Sequence, residues 1–335
     1  MRKPFARRRI GKALIALLAV LGSMAVAIES AVPAPRQRTV LTYLLPAPRE
    51  AIVFAPFVLA QQDGLYAKVG LDVRFTTVAG GAKVGEALGR GEGDLGGAVG
   101  DTPFLLRANG VRVQGVALLG HHAFLTLMMR KGTTLDAESL RGKTFGVPSY
   151  QDTSYYALAA LVRAKGLAPA EVTIRAAPMA NLIAGLGSGE FTGIVGTVDS
   201  GVKAERIGVA VDYYPADDFY PALAQVVMAS DVTLEKRPEM IRKFVSATLA
   251  AVALMRRDPE AAATRYATAV PKSGYTHGEI VRVFKLLAAE VYGPSPGRFE
   301  PMRMDQAASA AVGLALVPAG TSARGSYTNK FTGRR

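Results

Sequence analysis

Between residues 39 and 198, short apolar runs alternate with helix-forming stretches, and this order constrains the fold more than any other feature of the chain. Residues 39–45 form an apolar run halted by Pro46 and Pro48, the pattern of a buried strand followed by a loop. Residues 52–62 read as helix with Pro56 early in it. In 71–77 the side chains of Leu71, Val73, Phe75 and Thr77 alternate with Asp72, Arg74 and Thr76, the two-residue period of a half-buried strand. Gly80 and Gly81 then turn the chain toward a helix over 83–88, with strands expected over 94–99 and 111–119 and a short helix beginning near Pro103 between them. A second set follows: strands over 125–130, 144–148, 172–176 and 193–198, with helices over 154–165 and 181–186. Strands that alternate with helices favour mostly parallel sheets covered by helices on both faces. Two such sets imply two lobes.

Beyond these sets the chain turns helical. Ile241, Phe244, Val245, Thr248, Leu249 and Val252 mark one apolar stripe, and Ile280, Val283, Phe284 and Leu287 mark another. Asp258 before Pro259 reads as an N-cap with proline at the first helical position, and Thr276 with Glu279 as a capping box. At 335 residues the chain can build a core without covalent staples, and it must, because it has no cysteine. That also excludes a thiolate metal site and a cysteine nucleophile.

Residues 1–27 read as a cleavable export signal. A basic start (Arg2, Lys3, Arg7, Arg8, Arg9, Lys12) precedes an apolar stretch ending Ala25-Val26-Ala27. As a helix its apolar part would span about 22 Å, short of a bilayer core of roughly 30 Å. The net charge is +13, but six of those charges lie in residues 1–27, leaving +7 dispersed over the remainder. A dispersed excess of this size points away from a nucleic-acid partner. Residues 28–38, with Pro33 and Pro35, read as a leader, and 326–335 as a basic tail.

The motifs of common catalysts are absent or out of place. Gly91-Glu92-Gly93-Asp94-Leu95-Gly96 fits a dinucleotide fingerprint in letters, but it leaves a helix and enters a strand, the reverse of the context that presents phosphates to a helix start. His121, His122 and His277 are the only histidines. On an extended strand the first two would point to opposite faces, so no metal site is expected, and nothing marks a nucleophile for a histidine base. No cofactor and no catalytic residue are expected.

Ala60-Gln61-Gln62-Asp63-Gly64-Leu65-Tyr66-Ala67-Lys68-Val69-Gly70-Leu71-Asp72-Val73 resembles the start of solute-binding proteins of nitrate, sulfonate, taurine and thiamine-precursor transporters. Three further stretches resemble that family in register: Gly80-Gly81 with Ala87-Leu88 and Gly91; Leu140-Arg141-Gly142-Lys143-Thr144-Phe145-Gly146-Val147; and residues 161–172. The resemblance implies an α/β, two-lobed periplasmic-binding-protein fold (type II), each lobe a mostly parallel sheet flanked by helices. It places one lobe at 39–122 and 225–325 and the other at 123–224. It implies a monomeric, periplasmic, non-enzymatic carrier that passes a small-molecule ligand to the permease subunits of an ABC transporter, touching the membrane only through them. The thiamine-pyrimidine synthase branch shares this fold but would bring a cysteine-rich motif, which this chain lacks; a sensor subunit is the other alternative.

In open α/β sheets ligands sit beyond the carboxyl ends of the strands. The loops that leave strands supply the candidates: Arg49 and Glu50; Gly80 and Gly81; Asp101 and Thr102; Ser149, Gln151, Asp152, Thr153 and Ser154; Asn181; Thr197 and Asp199. Residues 149–154 run from a strand into a helix and so offer amides and hydroxyls, although Asp152, Thr153 and Ser154 serve equally well as helix caps. Tyr214 is a candidate to stack on a flat ligand, as are Tyr155, Tyr156 and Tyr213, with core packing the competing reading. Because these loops carry one cation and several carboxylates, a small polar or aromatic organic solute is expected instead of a strong anion.

Overall fold

The computed structural model describes residues 37–150, 153–294 and 296–333. The expected export segment, nearly all of the expected leader, Gln151, Asp152, Arg334 and Arg335 lie outside the described residues. Strand β1 (Thr39–Leu45) is built from β-branched, aromatic and leucine side chains, and Leu41, Tyr43 and Leu45 point into one core while Leu44 points into another. It pairs in parallel with β2 (Leu71–Thr77) over seven residues and with β3 (Leu95–Val99) on its other edge. The first sheet is completed by β4 (Val113–Leu118) and by β10 (Gln225–Ser230), in the order β2-β1-β3-β10-β4. A second five-stranded sheet has the order β7-β6-β8-β5-β9, from β5 (Thr126–Arg130), β6 (Thr144–Val147), β7 (Thr173–Ala176), β8 (Gly193–Gly196) and β9 (Val211–Pro215).

Each sheet is mixed. In the fourth position β10 runs antiparallel to β3 and β4, and β5 runs antiparallel to β8 and β9. Neither β9 nor β10 follows from the strand and helix alternation, and the reversed direction of β5 and β10 has a topological cause. A parallel strand needs a crossover that carries the chain back to the starting end of the sheet. Residues 119–125 cross instead from the carboxyl end of β4 directly into the second sheet, and residues 216–224 cross back from the carboxyl end of β9. A strand entered from that side must run against its neighbours. Both crossings therefore lie at the ends where the parallel strands finish, which fixes where a site can form.

Helices cover both faces of both sheets. In the second sheet Leu127 and Met129 face a core with Phe145, Leu158 and Leu161, while Met128 faces Leu182, Leu186 and Ile194, the alternation that a two-sided strand requires. Over the first sheet lies the helix Pro238–Arg257, whose Phe244 stacks on Tyr43 (centroids 5.0 Å apart) and on Tyr66 (5.1 Å). Thr248 on the same stripe donates to the Phe244 carbonyl and meets the Tyr66 hydroxyl at 2.9 Å, which satisfies both buried hydroxyls. Asp258 caps Pro259–Ala269 by accepting from the Ala261 amide at 2.9 Å, and Thr276 and Glu279 form the capping box of His277–Leu286. Gly96 lies inside β3, where a Cβ would come within 2.4 Å of Val84 Cγ1, so the glycine serves helix-on-sheet packing and not phosphate binding. Residues 326–333, which read as a tail, are folded: Ser326 and Thr328 bond Gly115 on the edge of β4, and Phe331 is buried. No helix among the described residues is long and apolar enough to cross a membrane.

Candidate functional site

Where the two sheets present their strand ends to each other, a cavity of about 520 Å³ opens between them. Pro46, Gly81, Val99 and Thr102 line it from the first lobe, Pro148, Thr153, Ser154 and Tyr156 from the second, and Phe124, Leu125 and Gln225 from the crossings and their ends. The walls are apolar and aromatic, with neutral hydroxyl and amide groups and Glu86 at the side; no Lys, Arg or His is among the described lining residues. Such a lining suits an uncharged or weakly polar solute better than a strong anion, which would need cationic or dense N–H donors.

Behind the cavity, one buried carboxylate joins the lobes. Asp101 follows β3 and precedes the helix Thr102–Ala108; Thr153 opens the helix Thr153–Ala164 after β6. The Thr153 hydroxyl lies 2.8 Å from Asp101 Oδ1 and 3.0 Å from Oδ2, and both residues are buried. Tyr220, on the returning crossing, has its phenol pushed up first by burial and then by the charge of Asp101. Three parts of the chain thus meet on one carboxylate.

The lobes meet again along the helix Val198–Arg206. Asp199, only 6% exposed, accepts from Thr197 and Lys203 and, at 2.7 Å, from the hydroxyl of Tyr275 in the other lobe. Burial, followed by the Asp199 carboxylate, pushes the Tyr275 phenol far up. Arg206 holds Glu279 through two bonds of 2.6 and 2.8 Å, and Arg282 holds Glu205 at 2.6 Å. The hydrogen bond from Arg206 holds the Glu279 carboxyl below its ordinary range. At the crossings, Arg303 of the helix Pro301–Gly313 donates to the carbonyls of His121 and Ala222 and to Asp217, so a single guanidinium grips both connections. His121 and His122 sit in the first crossing with rings 4.9 Å apart, edge to face. They do not point to opposite faces as an extended strand would force, because this segment is not a strand. Among the described residues no group of His, Asp and Glu could hold a metal ion.

Of the residues singled out in the sequence, Gly81, Thr102, Thr153 and Ser154 line the cavity, with Asp101 directly behind. Gly80 turns into the helix Gly81–Gly89 at φ 88°, and a Cβ on Gly81 would meet Ala98 Cβ at 2.7 Å, so the pair lets a helix start press against β3. The others are placed elsewhere. Arg49 lies over the Phe75 ring at 5.9 Å, and the Glu50 carbonyl accepts from Tyr266. Thr197 and Asp199 are engaged in the Tyr275 contact, Tyr214 donates to the Thr133 carbonyl at 3.1 Å, and Asn181 is exposed on the helix Met179–Ser188. Ser149 is half-buried and is not a lining residue. Sequence reasoning missed Phe124, Gln225 and Leu316. The first two sit on or beside the crossings and the third after the last helix, positions that no strand-end rule selects.

With this geometry in place, the comparisons with known proteins are specific. Residues 51–262 match the family model described as NMT1/THI5 like. The riboflavin-binding protein RibY of Chloroflexus aurantiacus is 27% identical over 241 residues, covering 70% of this chain and 69% of that protein. The 4-amino-5-hydroxymethyl-2-methylpyrimidine phosphate synthase THI13 of Saccharomyces cerevisiae is 24% identical over 261 residues, covering 71% and 74%. Among solved structures, the periplasmic aliphatic sulphonate binding protein SsuA from Escherichia coli aligns with a TM-score of 0.69 at 17% identity, covering 85% of this chain and 96% of that one. The fold is the two-lobed periplasmic-binding-protein fold found in solute-binding proteins of ABC importers, and the chain belongs to the NMT1/THI5 like family.

Proposed function

We propose that this protein is the extracytoplasmic substrate-binding component of an ABC importer, which encloses a small polar or aromatic organic solute between its lobes and passes it to permease subunits. The observation that carries this reading is the cavity bounded by both lobes, walled by aromatic and neutral polar side chains and backed by the Asp101–Thr153 contact. A solute that touches both walls gains contacts only when the lobes are together, so its binding shifts the population toward the closed form, the form a permease would read. Residues 1–27 would direct export, with lobes at 39–122 plus 225–325 and at 123–224, and the protein would act as a monomer.

The name of one relative favours an aromatic solute, since RibY is a riboflavin-binding protein and the cavity holds Phe54, Phe124 and Tyr156. The synthase name of THI13 favours a second reading, an enzyme on the same fold. A thermal-shift screen of the mature protein against a metabolite library, riboflavin included, tests the first reading. A solute at 100 times its dissociation constant adds about 2.7 kcal/mol of stability. Binding of one organic solute with its recovery unchanged supports the carrier; conversion of it to a product supports the enzyme.

A further inference from the structure

Beside the main cavity lies a second one of about 260 Å³, between the outer face of the helix Thr153–Ala164, β7 and the turn after the helix Pro301–Gly313. Three tyrosines face it. Tyr150 and Tyr155 meet edge to face with centroids 5.7 Å apart, and Tyr155 and Tyr156 do so at 6.0 Å. Ala159, Val162, Val172 and Ile174 supply apolar walls. The far wall is Leu314 and Leu316, set by a helix-ending turn in which the Ala315 amide bonds the Val312 carbonyl and the Leu316 amide bonds the Ala311 carbonyl. Ala315 takes the left-handed φ of 57° that glycine usually fills there, the only such non-glycine among the described residues.

Two residues, Tyr156 and Leu316, line both cavities. The two spaces are therefore neighbours that share one aromatic and one aliphatic wall. Their chemistry differs: the main cavity holds the hydroxyls of Thr102, Thr153 and Ser154 and the amide of Gln225, whereas the smaller one is walled by rings and aliphatic groups, with Arg163 the one charged residue among the described lining. An apolar cavity of about 150 Å³ is enough to take benzene, so the smaller one has room for a fused-ring system, and tyrosine edges and faces suit a flat π surface.

We infer that the tyrosine chamber is a ring-binding subsite for the same solute whose polar part occupies the main cavity. This rests on the carrier reading and narrows it: the cargo is an uncharged fused-ring aromatic that bears a hydroxylated or amide-bearing chain, ring toward Tyr155 and Tyr156, chain toward Thr102 and Gln225.

Two fluorescent probes separate the spaces: lumichrome, a fused-ring system without a chain, and riboflavin, a closely related ring system with a polyhydroxyl chain. Ala159→Trp and Ile174→Trp fill the chamber from two different elements, and Ala82→Trp obstructs the main cavity from an exposed helix start. Melting of the unliganded variants verifies folding, and because the chain has no tryptophan of its own, each new indole also reports ring proximity by energy transfer. The chamber assignment predicts that both chamber variants weaken lumichrome by about tenfold or more while Ala82→Trp changes it by less than about twofold, and that all three weaken riboflavin. It is overturned if both probes bind the chamber variants as they bind the parent and are lost with Ala82→Trp, a result that leaves the carrier reading standing with the ring in the main cavity. It is also overturned if the parent binds neither probe; the library screen then decides separately whether the protein carries some other solute.

Discussion

Replacing Thr153 with valine removes one hydroxyl and almost no volume, and it cuts the contacts of 2.8 and 3.0 Å by which the start of the helix Thr153–Ala164 reaches Asp101 behind the cavity. A hydrogen bond to a charged group contributes about 1.5–3 kcal/mol. Tyr220 also faces the Asp101 carboxylate, so the lower part of that range applies, about 1.5–2 kcal/mol, or a tenfold to thirtyfold change in an equilibrium constant. If the bond forms only when the lobes meet, the loss falls on the closed state alone, and solute affinity drops by that factor through the smaller closed population. Calorimetric titration of the parent, Thr153→Val and Thr153→Ser with the solute found by screening measures it, and X-ray scattering with and without solute reports closure. The serine variant restores a hydroxyl and should recover most of the affinity. Valine and serine variants that bind alike, both within about twofold of the parent, would refute the claim that this contact holds the closed form.

Other outcomes follow from named contacts. Phe244→Ala empties the space between Tyr43 and Tyr66 and should cost about 3–5 kcal/mol in denaturant unfolding with little direct effect on the cavity. Arg303→Ala takes the guanidinium away from Asp217, whose side chain is 13% exposed and also meets the His122 ring at 3.2 Å, and it frees both crossings; we expect lower stability in a denaturant titration and altered solute affinity together. The folded-state pKa of Glu279 is depressed, so its pairing with Arg206 stabilises fully above the ordinary carboxyl value of 4.5 and fades as pH falls below it. Glu279→Gln should therefore lower stability near neutral pH and flatten the loss on acidification in melting curves. Asp258→Ala removes a helix cap and should cost about 1 kcal/mol.

Much of this fold was legible in the residues because β1 to β8 carry apolar runs bounded by Pro, Gly or polar turns, and the alternating order dictates their arrangement. The fourth strand of each sheet was not legible as antiparallel, since its direction depends on the side from which the crossing enters and not on its own sequence. β10 was also obscured locally: it is buried throughout, so Gln225 to Ser230 shows no two-residue alternation, and Ala222, Leu223 and Ala224 extend the apolar run before it. In the site, Gly81, Thr102, Thr153 and Ser154 were accessible to reasoning because they begin helices that follow or flank parallel strands. Asp199 and Thr197 satisfy the same rule yet serve the contact with Tyr275, a partner 76 positions away that no local pattern announces. Phe124 and Leu316 obey no strand-end rule, and only the assembled chain brings them to the cavity.

The central claim is that the space between the lobes holds cargo and returns it intact. Mature protein saturated with its solute, freed of excess by dialysis and then denatured, should release one molecule per chain with an unchanged mass by mass spectrometry, and Ala82→Trp should release far less. Release of a molecule of different mass, or equal retention when the main cavity is obstructed, would contradict the account.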